Sequence, residues 1–163
     1  MTSRLAPGGI QSRLNLQPDL STFGKYLGGG VAFGAFGGRA DIMAVYDPRS
    51  PTALAHSGTF NNNTIAMTAG YVGLKDIYTP EIAVAFNELG DRFREKLIAA
   101  TKGTRIGVTG RGSMVGIHFS EGGTEEMEEI KELKDLFWTE MLEEGYWMTR
   151  RGQISPILGT PEE

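Results

Sequence analysis

The clearest periodicity of apolar positions begins after Thr79. Apolar side chains recur there at spacings of three or four residues, at Ile82, Phe86, Leu89, Phe93 and Leu97. Such spacing places them on one face of a helix. Thr79-Pro80-Glu81 is typical of a helix start, and Lys102-Gly103 of a helix end. The pattern therefore predicts a long amphipathic helix that reaches about Thr101.

Shorter patterns predict strands and helices on either side of this helix. We expect helices over 39–46, 61–77 and 124–144, and strands over 19–23, 32–36, 105–109, 114–119, 146–149 and 154–158. The strand at 32–36 is small, apolar and flanked by glycines, which is typical of a buried strand. Residues 1–18 are expected to be irregular. Mixed elements of this kind predict an α/β fold, and we place a domain boundary near residue 78.

The composition is globular and excludes several classes of function. The chain has 163 residues, a formal net charge of −4 and 40% hydrophobic residues, which fits one domain or a large fragment of a larger one. The negative charge argues against nucleic acid as the main partner. No apolar run approaches the roughly 20 residues of a membrane helix, and the first residues lack the apolar core of a signal peptide. We therefore expect a cytoplasmic protein.

Metal chemistry is not expected either. The chain has no cysteine, so it offers neither a disulfide framework nor a thiolate metal site. Its two histidines, His56 and His118, are too few and too far apart in the sequence to suggest a zinc site. Both are interpreted as structural or surface residues.

One lysine, Lys25, stands out because it is followed closely by Gly28, Gly29 and Gly30. The spacing fits neither the phosphate loop of nucleoside triphosphatases nor the dinucleotide-binding fingerprint. Glycines let a cofactor or a second chain approach the backbone closely. A partly desolvated lysine amine in such a place is a usable nucleophile toward an aldehyde such as pyridoxal phosphate. Taken alone, however, a lysine is more often a solvated surface group.

Two segments together resemble the class III aminotransferases of pyridoxal phosphate fold type I. The first is Asp19-Leu20-Ser21-Thr22-Phe23-Gly24-Lys25 with the glycines and the run 33–39, and the second is His56-Ser57-Gly58-Thr59-Phe60-Asn61-Asn62-Asn63. They are similar to glutamate-1-semialdehyde aminomutases and more closely to β-amino-acid transaminases. The resemblance implies the C-terminal part of a fold type I transferase. Residues 1–78 would end the large cofactor-binding domain, and residues 79–163 would form most of a small α+β domain.

The resemblance also implies roles for four residues. Lys25 matches the catalytic lysine that holds pyridoxal 5'-phosphate as a Schiff base and moves protons. Gly58 and Thr59 match a loop that contacts the cofactor phosphate of the partner in a homodimer, helped by the start of the helix expected from Asn61. Any of the three consecutive asparagines, Asn61, Asn62 or Asn63, can cap that helix. Arg151 matches an arginine that binds a substrate carboxylate. The substrates would be an amino acid, for which the resemblance favours a β-amino acid, and a keto acid.

Simpler interpretations of the same residues stay open. Thr59 is by itself more often a helix cap than a phosphate ligand. Arg150 and Arg151 are most simply a solvated pair at a strand end. The reaction also has an alternative, the isomerisation catalysed by glutamate-1-semialdehyde aminomutases.

The resemblance further implies that part of the site precedes Met1. In the family, an aspartate that pairs with the cofactor ring nitrogen, a phosphate cup and a stacking aromatic all belong to earlier segments. We therefore expect the chain to be a C-terminal fragment with little activity by itself. The alternative is a non-catalytic module that pairs with a full-length homologue.

Overall fold

Two antiparallel β-hairpins organise the fold, one in each half of the chain. In the computed structural model, which describes residues 2–122 and 128–161, β1 (Leu20–Gly24) pairs with β2 (Gly34–Gly38). Later in the chain, β3 (Ile106–Arg111) pairs with β4 (Met114–Phe119), whose other edge pairs with the short β5 (Gln153–Ile154). The chain divides into two compact units, Met1–Ile82 and Ala83–Glu163. Each unit is described separately.

The first unit combines the β1–β2 hairpin with short helices. Its α-helices are α1 (Gly9–Arg13), α2 (Ala40–Met43) and α3 (Thr64–Val72), and its 3-10 helices are Thr2–Arg4, Lys25–Gly28 and Ala44–Tyr46. A π-helical segment, Gly73–Ile77, continues α3. α3 begins at Thr64 because the Asn63 side chain accepts hydrogen bonds from the first backbone N–H groups of the helix.

The second unit packs its hairpin against two helices, α4 (Pro80–Ala100) and α5 (Lys131–Glu143). β4 supplies three buried apolar side chains, Val115, Ile117 and Phe119. The ring of Phe119 packs against that of Phe137 on α5, with centroids 5.3 Å apart. α4 begins where the sequence predicts it, and the hydroxyl of Thr79 accepts a hydrogen bond from the Ile82 N–H at 3.3 Å.

Several predicted elements are confirmed, and others are wrong for identifiable reasons. The hairpin around 111–113 and the strand at 19–23 are present. The strand predicted at 32–36 forms at Gly34–Gly38, but the prediction that it is buried is wrong: its residues alternate between exposed and half-buried, because it lies in a two-stranded sheet. The first 18 residues contain a 3-10 helix and α1 rather than irregular chain alone.

The predictions after residue 119 need the largest corrections. The helix predicted over 124–144 begins at Lys131, because the Ile130 N–H bonds instead to the Phe119 carbonyl at 2.7 Å. Residues 123–127 lie outside the described part of the chain. No strand forms over 146–149, since the Met148 carbonyl accepts a hydrogen bond from the Trp138 indole. Of the strand predicted at 154–158, only Ile154 pairs, as part of β5.

Candidate active site

Lys25 lies at the junction between β1 and the 3-10 helix that follows it. Its φ angle is 61°, and the other non-glycine residues with positive φ in the described ranges are Asn15 and Asn62. Asparagine tolerates this left-handed region far better than lysine does. The residue is exposed, and no hydrogen bond or ion pair ties its amine to any residue that the structure describes.

The glycines after Lys25 allow two backbone segments to lie in direct contact. A Cβ at Gly29 would overlap the Ala69 carbonyl of α3, and a Cβ at Gly70 would overlap the Leu27 carbonyl. The 3-10 helix Lys25–Gly28 therefore rests on the backbone of α3. This contact explains why glycine is needed at both places. It also fixes the position of Lys25, at the end of β1, relative to α3.

A cleft of about 640 Å³ opens beside β2 in the same unit. Gly34, His56, Gly58 and Asn63 are among its lining residues, whereas Lys25 and Thr59 are not. A side chain at Gly34 would project into open space, so this wall of the cleft is bare backbone. The cleft thus has room for a small ligand next to unshielded peptide groups.

His56 is a lining residue that the sequence did not single out as functional. Its ring lies edge-to-face against Phe36 and near Tyr46, with centroids 5.3 Å and 5.6 Å away. These three residues also border a second, smaller cavity of about 230 Å³. The sequence offered one hint, since His56 stands two residues before Gly58 in the resembling segment.

The loop of Gly58 and Thr59 is an exposed turn that ends before α3. The Asn61 N–H donates to the Gly58 carbonyl at 3.0 Å. Of the three asparagines that can cap the predicted helix, the structure selects Asn63, so the helix starts at Thr64. The Asn63 carboxamide oxygen already accepts from Ile65 and Ala66 N–H at 3.0 and 3.2 Å. An anion at this loop would therefore meet the turn and the Thr59 hydroxyl rather than the α3 N–H groups.

The two adjacent arginines of the second unit differ in their surroundings. Arg150 donates two hydrogen bonds to Asp135, from Nε at 2.6 Å and from Nη2 at 2.5 Å, and lies 6.0 Å from the Trp138 ring centroid. Both arginines are exposed, as expected of a solvated pair, but the Arg150 guanidinium is also ion-paired with Asp135. Hydrogen bonding from Arg150 lowers the pKa of the Asp135 carboxyl. Arg151 is exposed and makes no ion pair within the described ranges.

The Lys25 amine and the Arg151 guanidinium fit pyridoxal phosphate and its substrate, the ligands that the family resemblance implies. An uncommitted primary amine suits an aldehyde, and an uncommitted guanidinium suits a carboxylate. Lys25, Gly58 and Thr59 belong to the first unit and Arg151 to the second. No cluster of metal-ligating side chains occurs over 2–122 and 128–161, and no helix in those ranges is long and apolar enough to cross a bilayer.

Comparison with known proteins places these residues in a family. The profile described as Aminotransferase class-III matches residues 10–161. An uncharacterized aminotransferase of Schizosaccharomyces pombe is 54% identical over 97% of this chain. The β-phenylalanine transaminase of Variovorax paradoxus is 46% identical over 99%, and a glutamate-1-semialdehyde 2,1-aminomutase of Sorangium cellulosum is 44% identical over 73%. The chain spans 37%, 38% and 27% of the lengths of these relatives.

Solved structures agree with the sequence comparison. The β-phenylalanine aminotransferase of Variovorax paradoxus superposes with a TM-score of 0.87 at 45% identity, covering 97% of this chain and 38% of its own. A transaminase solved with pyridoxal phosphate bound gives a TM-score of 0.80 at 25% identity, covering 95% of this chain and 37% of its own. These neighbours confirm the mixed α/β class and the fold type I architecture. The profile match and the relatives together show that this chain belongs to the class-III aminotransferases.

Proposed function

We propose that the protein carrying this chain transfers an amino group between an amino acid and a keto acid, with pyridoxal phosphate held by Lys25. The observation that carries the proposal is the state of Lys25: an exposed amine without an ion-pair partner in the described ranges, in a left-handed backbone conformation beside bare glycine backbone. Energetically unfavourable backbone conformations of this kind cluster at functional sites.

Lys25 has two tasks in this proposal. Its Nζ holds the aldehyde of the cofactor, and after substrate arrives it is the base that takes the proton from the carbon bearing the amino group. Pyridoxal phosphate, when bound, supplies an electron sink for the negative charge that develops at that carbon. The absence of a competing carboxylate partner among the described residues leaves the lysine amine available for both tasks.

Arg151 binds the substrate carboxylate in this proposal, and the amino donor is a β-amino acid. The guanidinium of Arg151 is the one of the adjacent pair that Asp135 does not occupy. A planar guanidinium binds a carboxylate through two parallel hydrogen bonds. The β-amino acid donor is favoured over the aminomutase substrate because the β-phenylalanine transaminase is 46% identical over 99% of this chain, whereas aminomutases are 35–44% identical over 72–89% of it.

Gly58 and Thr59 serve the cofactor phosphate of a second subunit. The loop carries Phe60, which is 82% exposed, and α3 carries Ile65 and Met67, which are 69% and 50% exposed. Such a run of exposed apolar side chains supports a surface that another copy covers. Gly58 lines the cleft, so a ligand there would meet the turn backbone directly.

Covalent trapping tests the role of Lys25. The protein carrying this chain is incubated with pyridoxal phosphate, reduced with borohydride and digested, and the modified peptide is identified by mass spectrometry. We expect the label on Lys25, loss of the visible absorption band in Lys25→Ala, and retention of both in the matched control Lys75→Ala. A label on another lysine, or an unchanged band in Lys25→Ala, would contradict the proposal.

Mixed dimers test the role of Thr59 across the interface. Each of the variants Lys25→Ala and Thr59→Ala is expected to have low activity alone. Co-expressed in equal amounts, they should recover up to about a quarter of the wild-type activity, because half of the dimers would contain one intact site. Recovery no better than the sum of the separate variants would show that Thr59 acts within its own subunit or not at all.

Substrate preference is tested by comparing two reactions on the same preparation. We expect amino transfer from β-phenylalanine to a keto acid. The loss of the β-amino acid over time measures this reaction. Isomerisation of glutamate-1-semialdehyde without net amino transfer would favour the aminomutase alternative.

A further inference from the structure

We propose that Tyr78 is a positioning residue for Lys25, acting through the ring of Tyr26. The inference rests on the proposed function, because it assumes that Lys25 is the amine that holds the cofactor. Tyr78 lies 53 positions after Lys25 in the sequence, and neither the periodicity nor the family resemblance points to it.

The backbone conformation of Lys25 requires stabilising contacts from its surroundings. A lysine with a φ angle of 61° is in an unfavourable region, which persists only when surrounding contacts hold it. The next residue, Tyr26, lies in the 3-10 helix Lys25–Gly28. The orientation of Tyr26 is thus coupled to the backbone angles of Lys25 through a single peptide unit.

Tyr78 contacts Tyr26 directly and is itself anchored. The two rings meet edge-to-face, with centroids 5.4 Å apart and an angle of 77° between planes, which is a favourable aromatic geometry. The Tyr78 hydroxyl donates a hydrogen bond to the Arg4 carbonyl at 2.9 Å. The hydroxyl of Tyr78 is therefore held by a hydrogen bond while its ring contacts Tyr26, so the ring limits the orientations that the Tyr26 side chain can adopt.

The π-helical segment explains how Tyr78 reaches this place. Its own N–H donates to the Gly73 carbonyl at 2.7 Å, five residues earlier, which is the π-helical spacing. A π segment rotates every residue that follows relative to a regular helix, and such segments are frequent at functional sites. Here the altered turn brings the Tyr78 ring to Tyr26 at the end of α3.

The other side of the 3-10 helix is closed by α3 itself. Leu27 and Gly29 lie against the backbone of Gly70 and Ala69, as described above. The Gly29 N–H also donates to the Tyr26 carbonyl at 2.9 Å. The segment after Lys25 is therefore held between α3 and Tyr78. Removing the Tyr78 ring would leave Tyr26 free to turn and the Lys25 backbone free to relax toward negative φ.

The test compares variants that remove the ring with one that keeps it. Tyr78→Leu and Tyr26→Leu each remove the ring contact, Tyr78→Phe keeps it, and Tyr146→Leu is the control for losing an exposed tyrosine elsewhere. The first measurement is the rate at which Lys25 of the cofactor-free protein is labelled by pyridoxal and borohydride. The second is the pH midpoint of the visible band in the loaded protein, and the third is kcat and KM for the amino donor.

We expect Tyr78→Leu and Tyr26→Leu to slow labelling of Lys25 by about 5- to 10-fold and to shift the pH midpoint, because the amine is no longer held in one geometry. The double variant should be no slower than either single variant, since both remove the same contact. The kcat should fall while KM changes little. Tyr146→Leu should behave as the wild type. Tyr78→Phe keeps the ring contact but loses the hydrogen bond to the Arg4 carbonyl, so its labelling rate should lie between those of the wild type and Tyr78→Leu.

Two results would overturn the inference, and they are distinguishable from each other. In the first, both Leu variants have the wild-type labelling rate and pH midpoint, and the label is still on Lys25. This result would overturn the positioning role of Tyr78 and leave the proposed function standing. A label on another residue in the wild type would overturn both proposals. Urea unfolding measures the folded fraction of each variant. The labelling rates are then divided by that fraction, so that a loss of folding is not mistaken for a loss of positioning.

Discussion

Arg150 and Asp135 form a bidentate ion pair, with the guanidinium donating to both carboxylate oxygens. The pair joins the segment after α5 to α5 itself, and the Arg150 guanidinium also lies near the Trp138 ring. Arg151, the next residue, has no such partner within the described ranges. The two adjacent arginines therefore differ in one respect: the Arg150 guanidinium is ion-paired with Asp135, whereas the exposed Arg151 guanidinium has no ion-pair partner within the described ranges.

Replacing Arg151 should weaken substrate binding. We expect Arg151→Ala to raise KM for the amino acid by about 10- to 100-fold, because a charge-assisted, two-point contact is lost. Arg151→Lys should recover only part of this, since an ammonium lacks the planar fork. Steady-state kinetics on the loaded protein, with Arg150→Ala as the matched control, give the comparison. A larger KM effect at Arg150 than at Arg151 would reverse the assignment.

Gly90 should tolerate no side chain. A Cβ at Gly90 would overlap the Gly112 carbonyl in the turn between β3 and β4, which α4 contacts at this point. Asn87 fixes the same contact by accepting the Ser113 N–H at 3.0 Å. We expect Gly90→Ala to lower the free energy of unfolding by about 1–3 kcal/mol. Urea unfolding measures it, and a stability equal to wild type would mean that the turn can move away freely.

The control for this variant is Gly37→Ala, where a Cβ would meet no atom within 4 Å. Gly37 does not have a positive φ angle, so alanine introduces no backbone strain there. Its free energy of unfolding should lie within about 0.5 kcal/mol of the wild type.

The Glu129–Lys134 ion pair should make stability depend on pH. Lys134 Nζ lies 2.7 Å from Glu129 Oε1, and this hydrogen bond lowers the pKa of the Glu129 carboxyl, with a smaller contribution from His118. Because the folded pKa is below the unfolded one, the stabilisation is fully present above the unfolded value. It is lost as the pH falls through the folded value.

We expect Glu129→Gln to be less stable than the wild type by about 0.5–1 kcal/mol at pH 7. The difference should begin to shrink below about pH 5, near the unfolded pKa of a glutamate, and disappear at lower pH. Urea unfolding of both proteins at a series of pH values tests this. A difference that stays constant down to the acid limit would mean that the pair is not its source.

Local rules predicted those elements whose causes lie within a few residues. The start of α4 follows from Thr79, and the β3–β4 hairpin follows from the alternation around 111–113. The sequence leaves the start of α3 open, because three consecutive asparagines can each act as a cap, and only the fold selects Asn63. The start of α5 was missed because it depends on a bond from Ile130 to the distant carbonyl of Phe119.

The same distinction holds for the candidate site. Lys25, Gly58, Thr59 and Arg151 are identified through the resemblance to the family, supported for Lys25 by the glycines that follow it, and their roles stay predictions. His56 was interpreted as structural or surface, yet it lines the cleft together with Gly58. Tyr26 and Tyr78 lacked any local pattern, because their contact exists only after the π-helical segment has turned the chain.

The sequence by itself determined the family and the β3–β4 hairpin, and it singled out Lys25, whose role stays a prediction, because these depend on residue identity and short-range spacing. Only the tertiary structure decided which of two arginines is already occupied, which asparagine caps α3, and which tyrosine contacts the neighbour of Lys25. The physical reason is that hydrogen bonds and ring contacts between residues far apart in the chain depend on the packing of whole segments. Short-range sequence patterns carry no information about that packing.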